Sequence, residues 1–168
     1  MKETIVRNYL EIKFIDALIE SPRPELECSI KLVKSEDFQI NKFFYKNVGK
    51  NHRWIDRLVW SEADWIKYSS DPKVETYIFK VKDELAGYFE LIFHFNLKEI
   101  EIAYFGLLEE YHEKKLGGYL LSIAIKKSFE KKDIKRVWVH TCTLDHKNAL
   151  KNYLARGMKI YKKETIQI

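Results

Sequence analysis

The chain is poor in the residues that punctuate or staple a fold. Its 168 residues include only two cysteines, three prolines and six glycines. Two cysteines, Cys28 and Cys142, give no disulfide framework and suit a reducing compartment. Scarce Gly and Pro, together with 46% apolar and 33% charged residues, exclude a disordered or low-complexity polymer. Long apolar runs are missing too. The longest uncharged stretch, Leu116 to Ile125, is ten residues, well short of the ~20 that a membrane span requires. Charges at Glu3, Arg7, Glu11, Lys13 and Asp16 leave no apolar run for a signal peptide. These absences predict a soluble, cytoplasmic protein with no membrane partner. The five histidines, at positions 52, 94, 112, 140 and 146, show no zinc-ligand spacing, so no metal site is expected.

What is present fits one domain. No internal repeat or linker interrupts residues 1–168, and a chain this long buries about 70% of its unfolded surface without metal or disulfide. Thirty basic and 25 acidic residues give a net charge of +5. The excess is concentrated. From Lys114 to Arg136 there are eight basic residues against Glu130 and Asp133, a local surplus of six. A positive field held in one segment points to an anionic partner.

The apolar periodicity sets the order of elements. Tyr9–Phe14 and Leu26–Val33 read as strands. Ser35 reads as the N-cap of a helix running to about Val48 and stopping at Gly49. The aromatic stretch His52–Trp60 has no clear period, and Ser61 starts a short helix that ends at Asp71-Pro72. Val74–Val81, Leu85–Phe95 and Glu99–Leu107 alternate and predict an antiparallel meander. Lys115–Lys131 is an amphipathic helix and Ile134–Cys142 a strand. Asp145–Arg156 reads as a helix capped by Asp145 and stopped by Gly157, and Lys159–Ile168 as a last strand. The strand–helix–strand unit from Glu99 to Cys142 demands a crossover, hence two parallel neighbouring strands. The predicted class is α+β, with a mixed, mostly antiparallel central sheet, one parallel pair and flanking helices.

The junction before the 115–131 helix is the natural place for the anion. A helix start presents free N–H groups and the positive end of the dipole. Gly117 and Gly118 lie in the first turn, where a missing side chain admits a ligand to the backbone, and Lys114 and Lys115 add charge. Alternatively, the glycines serve helix–sheet packing and the lysines form a solvated face. The segment is neither a Walker loop nor GxGxxG.

Two segments resemble the GNAT superfamily of N-acetyltransferases. Glu101 to Leu107 followed by Glu110 to Leu121 is similar to its acetyl-CoA motif, Arg/Gln-x-x-Gly-x-Gly/Ala. The pattern falls on His112, Lys115 and Gly117, and only Gly117 matches. Asp145 to Met158 resembles the second motif, Asn-x-x-Ala-x-x-x-Tyr-x-x-x-Gly-Phe. Ala149, Tyr153 and Gly157 match, while His146 and Met158 replace the Asn and Phe. The resemblance covers roughly residues 74–168 and implies that the parallel strands splay to admit the pantetheine arm of acetyl-CoA. It further implies that the backbone of Phe105, Gly106 and Leu107 pairs with the pantetheine. The segment His112, Glu113, Lys114, Lys115, Leu116, Gly117 and Gly118 would cradle the pyrophosphate. His146, Asn148 and Tyr153 would complete the cofactor contacts.

Acetyl transfer to an amine needs a base for the amine and an acid for the departing thiolate. By the register of the second motif, Tyr153 is the candidate acid; otherwise it reads as a core tyrosine. Glu101, eleven residues before His112, is the candidate base, since some superfamily members place a catalytic Glu at that spacing. Glu90 on the neighbouring strand is the second candidate. His140 and Cys142 share a strand face and could form a nucleophilic pair, with core packing the favoured reading. The acceptor side is expected from the first half, where Trp54, Asp56, Trp60 and Glu90 would bind an amine, or where the aromatics form a core cluster. Trp-x-Asp-Arg-Leu-x-Trp and Gly-Tyr-Phe-Glu-Leu, at 54–60 and 87–91, resemble segments of bacterial family members. The reading is thus an acetyl-CoA-dependent N-acetyltransferase acting by direct attack on a small-molecule or peptide amine. A non-catalytic acyl-CoA-binding module is the alternative, and a homodimer is left open. A nucleic-acid partner is not expected, because no aromatic stacking positions interleave the lysines.

Overall fold

The computed structural model describes residues 1–34 and 37–168. Among these, seven strands form one mixed sheet. In chain order they are β1 (Thr4–Ile12), β2 (Cys28–Leu32), β3 (Val74–Val81), β4 (Glu84–His94), β5 (Glu99–Leu107), β6 (Arg136–Cys142) and β7 (Lys159–Gln167). The helices are α1 (Phe38–Gly49), α2 (Glu62–Ser69), α3 (Gly117–Phe129) and α4 (Ala149–Ala155). Across the sheet the order is β2-β3-β4-β5-β6-β1-β7. All neighbours are antiparallel except β5 and β6, which run parallel because α3 carries the crossover between them. The expected α+β class and the parallel pair are both present.

Local chemistry accounts for most boundaries. β3 and β4 are joined at Lys82 and Asp83, both with positive φ (49° and 66°), the hand that matches the twist of a two-residue hairpin. Ser61 caps α2 through a complete capping box with Asp64. Gly157, with φ of 97°, follows α4 in the left-handed conformation, where an added Cβ would meet the Ala17 carbonyl. The expected cap at Ser35 lies outside the described residues.

Two expectations are corrected. β1 begins at Thr4, not Tyr9, because pairing with both β6 and β7 fixes it from end to end. The adjacent apolar pair Ile5-Val6 and the buried Asn8 had blurred its alternation. α4 begins at Ala149 after Asn148, not at Asp145. The Asp145 carboxylate instead accepts the Thr141 hydroxyl and the Cys142 N–H, closing the end of β6.

Strand alternation divides the packing between the two faces. Tyr77, Phe79, Phe89 and Leu91 join Leu116, which precedes α3, and Leu120, Leu121 and Ile125 of α3 in the main core. Ile78 and Tyr88 face the other way, onto Phe44 of α1, whose ring stacks on Tyr88 at 4.8 Å. Burying each such side chain contributes about 1.5–3 kcal/mol.

The feature that positions the site is a failure of pairing. β5 and β6 align at only three positions: Glu99 with Arg136, Ile100 with Val137 and Glu101 with Trp138. Just beyond, the β4–β5 register slips so that Ala103 has no partner. An extra residue bends its strand and increases the twist, and this one bends β5 where contact with β6 ends.

Candidate active site

The separated strands open a cleft of about 1130 Å³, at the upper end of the size usual for ligand sites. Its β5 wall is an unpaired backbone edge. The Leu108 N–H donates to the Ala86 carbonyl at 2.8 Å, so alternation turns the backbone groups of Phe105 and Leu107 away from β4, into the gap. There the Leu107 carbonyl accepts from His112 Nε2 at 3.0 Å. Phe105, Gly106 and Leu107 all line the cleft.

The start of α3 forms the end wall. No side chain caps this 13-residue helix, so its first N–H groups are left for another acceptor. Ahead of it, Glu113 and Lys115 both hold positive φ (61° and 59°). Left-handed Lys115 followed by right-handed Leu116 is the kind of backbone pair from which nests of N–H groups are built. Lys115 thus takes the backbone conformation that glycine would take at the position where it departs from the family motif. His112, Glu113, Lys115, Leu116, Gly117 and Gly118 line the cleft; Lys114 does not. The two glycines serve different ends. An added Cβ at Gly118 would press on Ser21 at 2.8 Å and on the Arg156 guanidinium, whereas at Gly117 it would make only ordinary contacts of 3.6 Å and longer. Gly118 is required by packing and Gly117 is not.

Half of the basic segment's cations are engaged elsewhere. Lys126 pairs with Glu20, Lys127 with Glu130, Lys131 with Glu75, and Arg136 with Glu11 and Glu99. Lys115 is the lysine of that segment that faces the cleft.

Tyr153 reaches the cleft from α4, with its ring 6.4 Å from that of Phe105. Burial, and then the charge of Asp145, raise its pKa well above the ordinary tyrosine value, so at neutral pH it is a proton donor. Its hydroxyl has no hydrogen-bond partner among the described residues. His146 and Asn148 line the same wall. Glu101 lines the cleft from β5, 18% exposed, with its carboxylate 3.0 Å from His94 Nε2. Ile100 and Ile102 beside it face α3, so Glu101 enters from the opposite face of the sheet. An acid from one face and a carboxylate from the other thus converge on one gap. His140 and Cys142 share a face as expected, but they line the cleft rather than pack in the core.

Glu90 is removed from the cleft. It is fully buried and accepts hydrogen bonds from Asn41 Nδ2 (2.7 Å), Arg57 Nη1 (3.0 Å) and the Tyr68 hydroxyl (2.7 Å). Arg57 lies between the rings of Tyr68 and Tyr104, at 4.0 and 4.1 Å. Desolvation opposes its charge, but Glu90 reverses the balance and raises its pKa. Neither the position nor the satisfied lone pairs of Glu90 suit a base or an amine ligand. Trp60 is corrected likewise: it packs on Trp65 and over Arg57, away from the cleft. Trp54 and Asp56 do line the cleft, and the Trp54 ring meets Tyr104 edge-on at 4.9 Å. Sequence reasoning missed Arg7 and His52, which also line it. Nothing in the local pattern marked Arg7, since β1 reaches the cleft only through the fold, whereas His52 opens the aromatic stretch expected to wall the acceptor side.

The family model for the GNAT acetyltransferases matches residues 36–158, nearly three quarters of the sequence. The chain belongs to the GNAT acetyltransferase family. Its fold is that of solved GNAT structures. A GCN5-related N-acetyltransferase from Kribbella flavida matches with a TM-score of 0.67 at 14% identity, over 99% of this chain and 58% of that one. Another, from Sphaerobacter thermophilus, matches with a TM-score of 0.70 at 11% identity, over 98% and 51%. An aminoglycoside acetyltransferase from an uncultured soil metagenomic sample, solved with trehalose, matches with a TM-score of 0.63 at 11% identity, over 77% and 86%. This GNAT chain therefore spans only half to three fifths of the first two structures. At such identities these likenesses bear on the fold alone. No curated protein matches the chain.

Proposed function

We propose that this GNAT protein transfers an acetyl group from acetyl-CoA to an amine by direct attack, with Tyr153 as acid and Glu101 as base. The observation that carries the reading is the convergence of a raised-pKa tyrosine and a carboxylate, from opposite faces of the sheet, on a cleft with a free strand edge and an uncapped helix start.

The residues fit the cofactor. Phe105 and the Leu107 N–H offer a β-strand edge to an amide-bearing arm, the Leu107 carbonyl being held by His112. The Lys115–Leu116 backbone pair and the first turn of α3 offer N–H groups to a pyrophosphate. Acetyl-CoA supplies an activated thioester carbonyl. An alkylamine is protonated near neutral pH, so Glu101 removes its proton, directly or through a water, as nitrogen bonds to the carbonyl carbon. When the carbon–sulfur bond breaks, the sulfur takes the Tyr153 proton, and the nitrogen's surplus proton returns to Tyr153 as the amide forms. Burial keeps the Tyr153 proton in place until it is needed. Trp54 and Asp56 lie on the cleft where the acceptor would stand, a ring face and a carboxylate that suit a cationic amine.

Release of free thiol from acetyl-CoA across a panel of amines tests the proposal. Tyr153→Phe and Glu101→Gln should each lower kcat about 10²–10⁴-fold, the range of general acid–base catalysis. Undiminished rates in both variants would remove the assignments.

A further inference from the structure

Three imidazoles from three separate loops meet on the cleft. His52 follows α1, His112 precedes α3 and His146 precedes α4. The ring centroids of His112 and His146 are 4.8 Å apart, and those of His52 and His146 are 6.0 Å apart. Each ring is anchored through one nitrogen. His112 Nε2 lies 3.0 Å from the Leu107 carbonyl, and His52 Nδ1 lies 3.2 Å from the Leu144 carbonyl. His146 Nδ1 receives the Asn148 N–H at 3.1 Å. The other nitrogen of each ring has no protein partner among the described residues.

Those anchors fix the tautomers. A carbonyl only accepts, so the anchored nitrogens of His52 and His112 carry protons. When these rings are neutral, His52 Nε2 and His112 Nδ1 are bare acceptors. His146 is the reverse: its anchored nitrogen accepts, so its proton lies on Nε2. Desolvation, and then the positive charges of His112, His52 and Lys147, hold its pKa below the ordinary histidine value. His146 is thus a standing donor, while His52 and His112 become donors at their free nitrogens only by taking a second proton.

No ion pair among the described residues takes up that proton, although the Glu113 carboxylate acts on the His146 ring. The loop before α3 brings Glu113 and Lys115, and the loop after α1 brings Arg53 and Asp56. The loop before α4 brings Asp145 and Lys147, and α4 brings Lys151. Asp145 is engaged by Thr141 and Cys142, and Arg53 by Glu3. No carboxylate among the described residues is ion-paired to any of the three rings, and no His, Cys, Asp and Glu group there is arranged to hold a metal ion.

We infer that His52, His112 and His146, which line the same cleft as the loop into α3, recognise the pyrophosphate of an acyl-CoA, and that its binding draws a proton onto His52 or His112. The inference rests on the acyl-CoA reading above. The sign follows from linkage: if the complex binds more protons than the free protein, affinity rises as pH falls. The slope is read between about pH 8 and pH 6, the range in which imidazoles as a class change charge.

Calorimetric titration with dephospho-CoA, whose pyrophosphate does not change charge in that range, reads the linkage directly. Kd should fall about five- to tenfold from pH 8 to pH 6, with no more than tenfold per pH unit for each proton. Acetyl-pantetheine, which has no phosphate, should show no slope. His52→Asn and His112→Gln keep an N–H at each anchored position while removing the second ring nitrogen. Read against its own affinity at pH 8, the double variant should lose the slope, and the single variants carry the test if the double variant does not melt as a folded protein. A flat wild-type profile, an unchanged slope in the variants, or an equal slope with acetyl-pantetheine would overturn the inference while leaving CoA binding intact. Absence of binding by any CoA species at every pH would instead remove the acyl-CoA reading, and this inference with it.

Discussion

Glu90 and Glu101 lie on adjacent strands, and what surrounds each carboxylate separates their roles. Glu90 is enclosed by Asn41, Arg57 and Tyr68, with the Arg57 side chain only 8% exposed. Removing one charge from a buried pair strands the other, at a cost of about 3–5 kcal/mol. Glu90→Gln should therefore lower stability by that amount in urea unfolding. The Glu101–His94 pair is partly exposed, and such pairs contribute about 0–1 kcal/mol. Glu101→Gln should leave the urea midpoint nearly unchanged while reducing thiol release. Sequence alternation named both glutamates as candidates but could not rank them, because Asn41, Arg57 and Tyr68 come from distant segments. The glycine pair divides in the same way. Gly118→Ala should destabilise by about 1–3 kcal/mol through contact with Ser21 and Arg156. Gly117→Ala has room for its Cβ and should keep or slightly raise stability, while weakening acetyl-CoA binding in a calorimetric titration. Equal behaviour of the two alanine variants would contradict the division.

At the scale of elements, the loop into α3 decides how well an anion is held. Lys115 holds a left-handed conformation, which costs a residue with a Cβ about 1 kcal/mol or more. Lys115→Gly should raise stability by roughly 0.5–1 kcal/mol, measured by thermal or urea unfolding, and should weaken acetyl-CoA binding by removing the cleft-facing charge. Elements with a clean period were legible in the sequence: β3 and β5 fall at the expected bounds, and the strand–helix–strand unit gave the parallel pair. β1 and α4 were misplaced where a buried Asn8 broke the alternation and where Asp145 had a tertiary use that outweighed helix capping. The point at which β5 and β6 part was implied only by the family resemblance. It depends on the unpaired Ala103, and nothing in the residues around Ala103 announces a bulge.

For the whole molecule, the +5 charge is less a surface property than a question of which cations remain unpaired. The ion pairs of Lys126, Lys127, Lys131 and Arg136 consume half of the eight cations in the basic segment. Of that segment Lys115 remains on the cleft, joined there by Arg7 and Lys151 from other elements. Two walls from opposite faces of one sheet, a strand edge and an uncapped helix form the single chemical unit on which the proposed acyl-CoA binding rests. Hydrogen–deuterium exchange with and without saturating acetyl-CoA tests that unit most directly. The account predicts slower exchange at the amides of Phe105 and Leu107 and in the first turn of α3 at Gly117 and Gly118. Unchanged exchange at all four positions under saturating acetyl-CoA would contradict it.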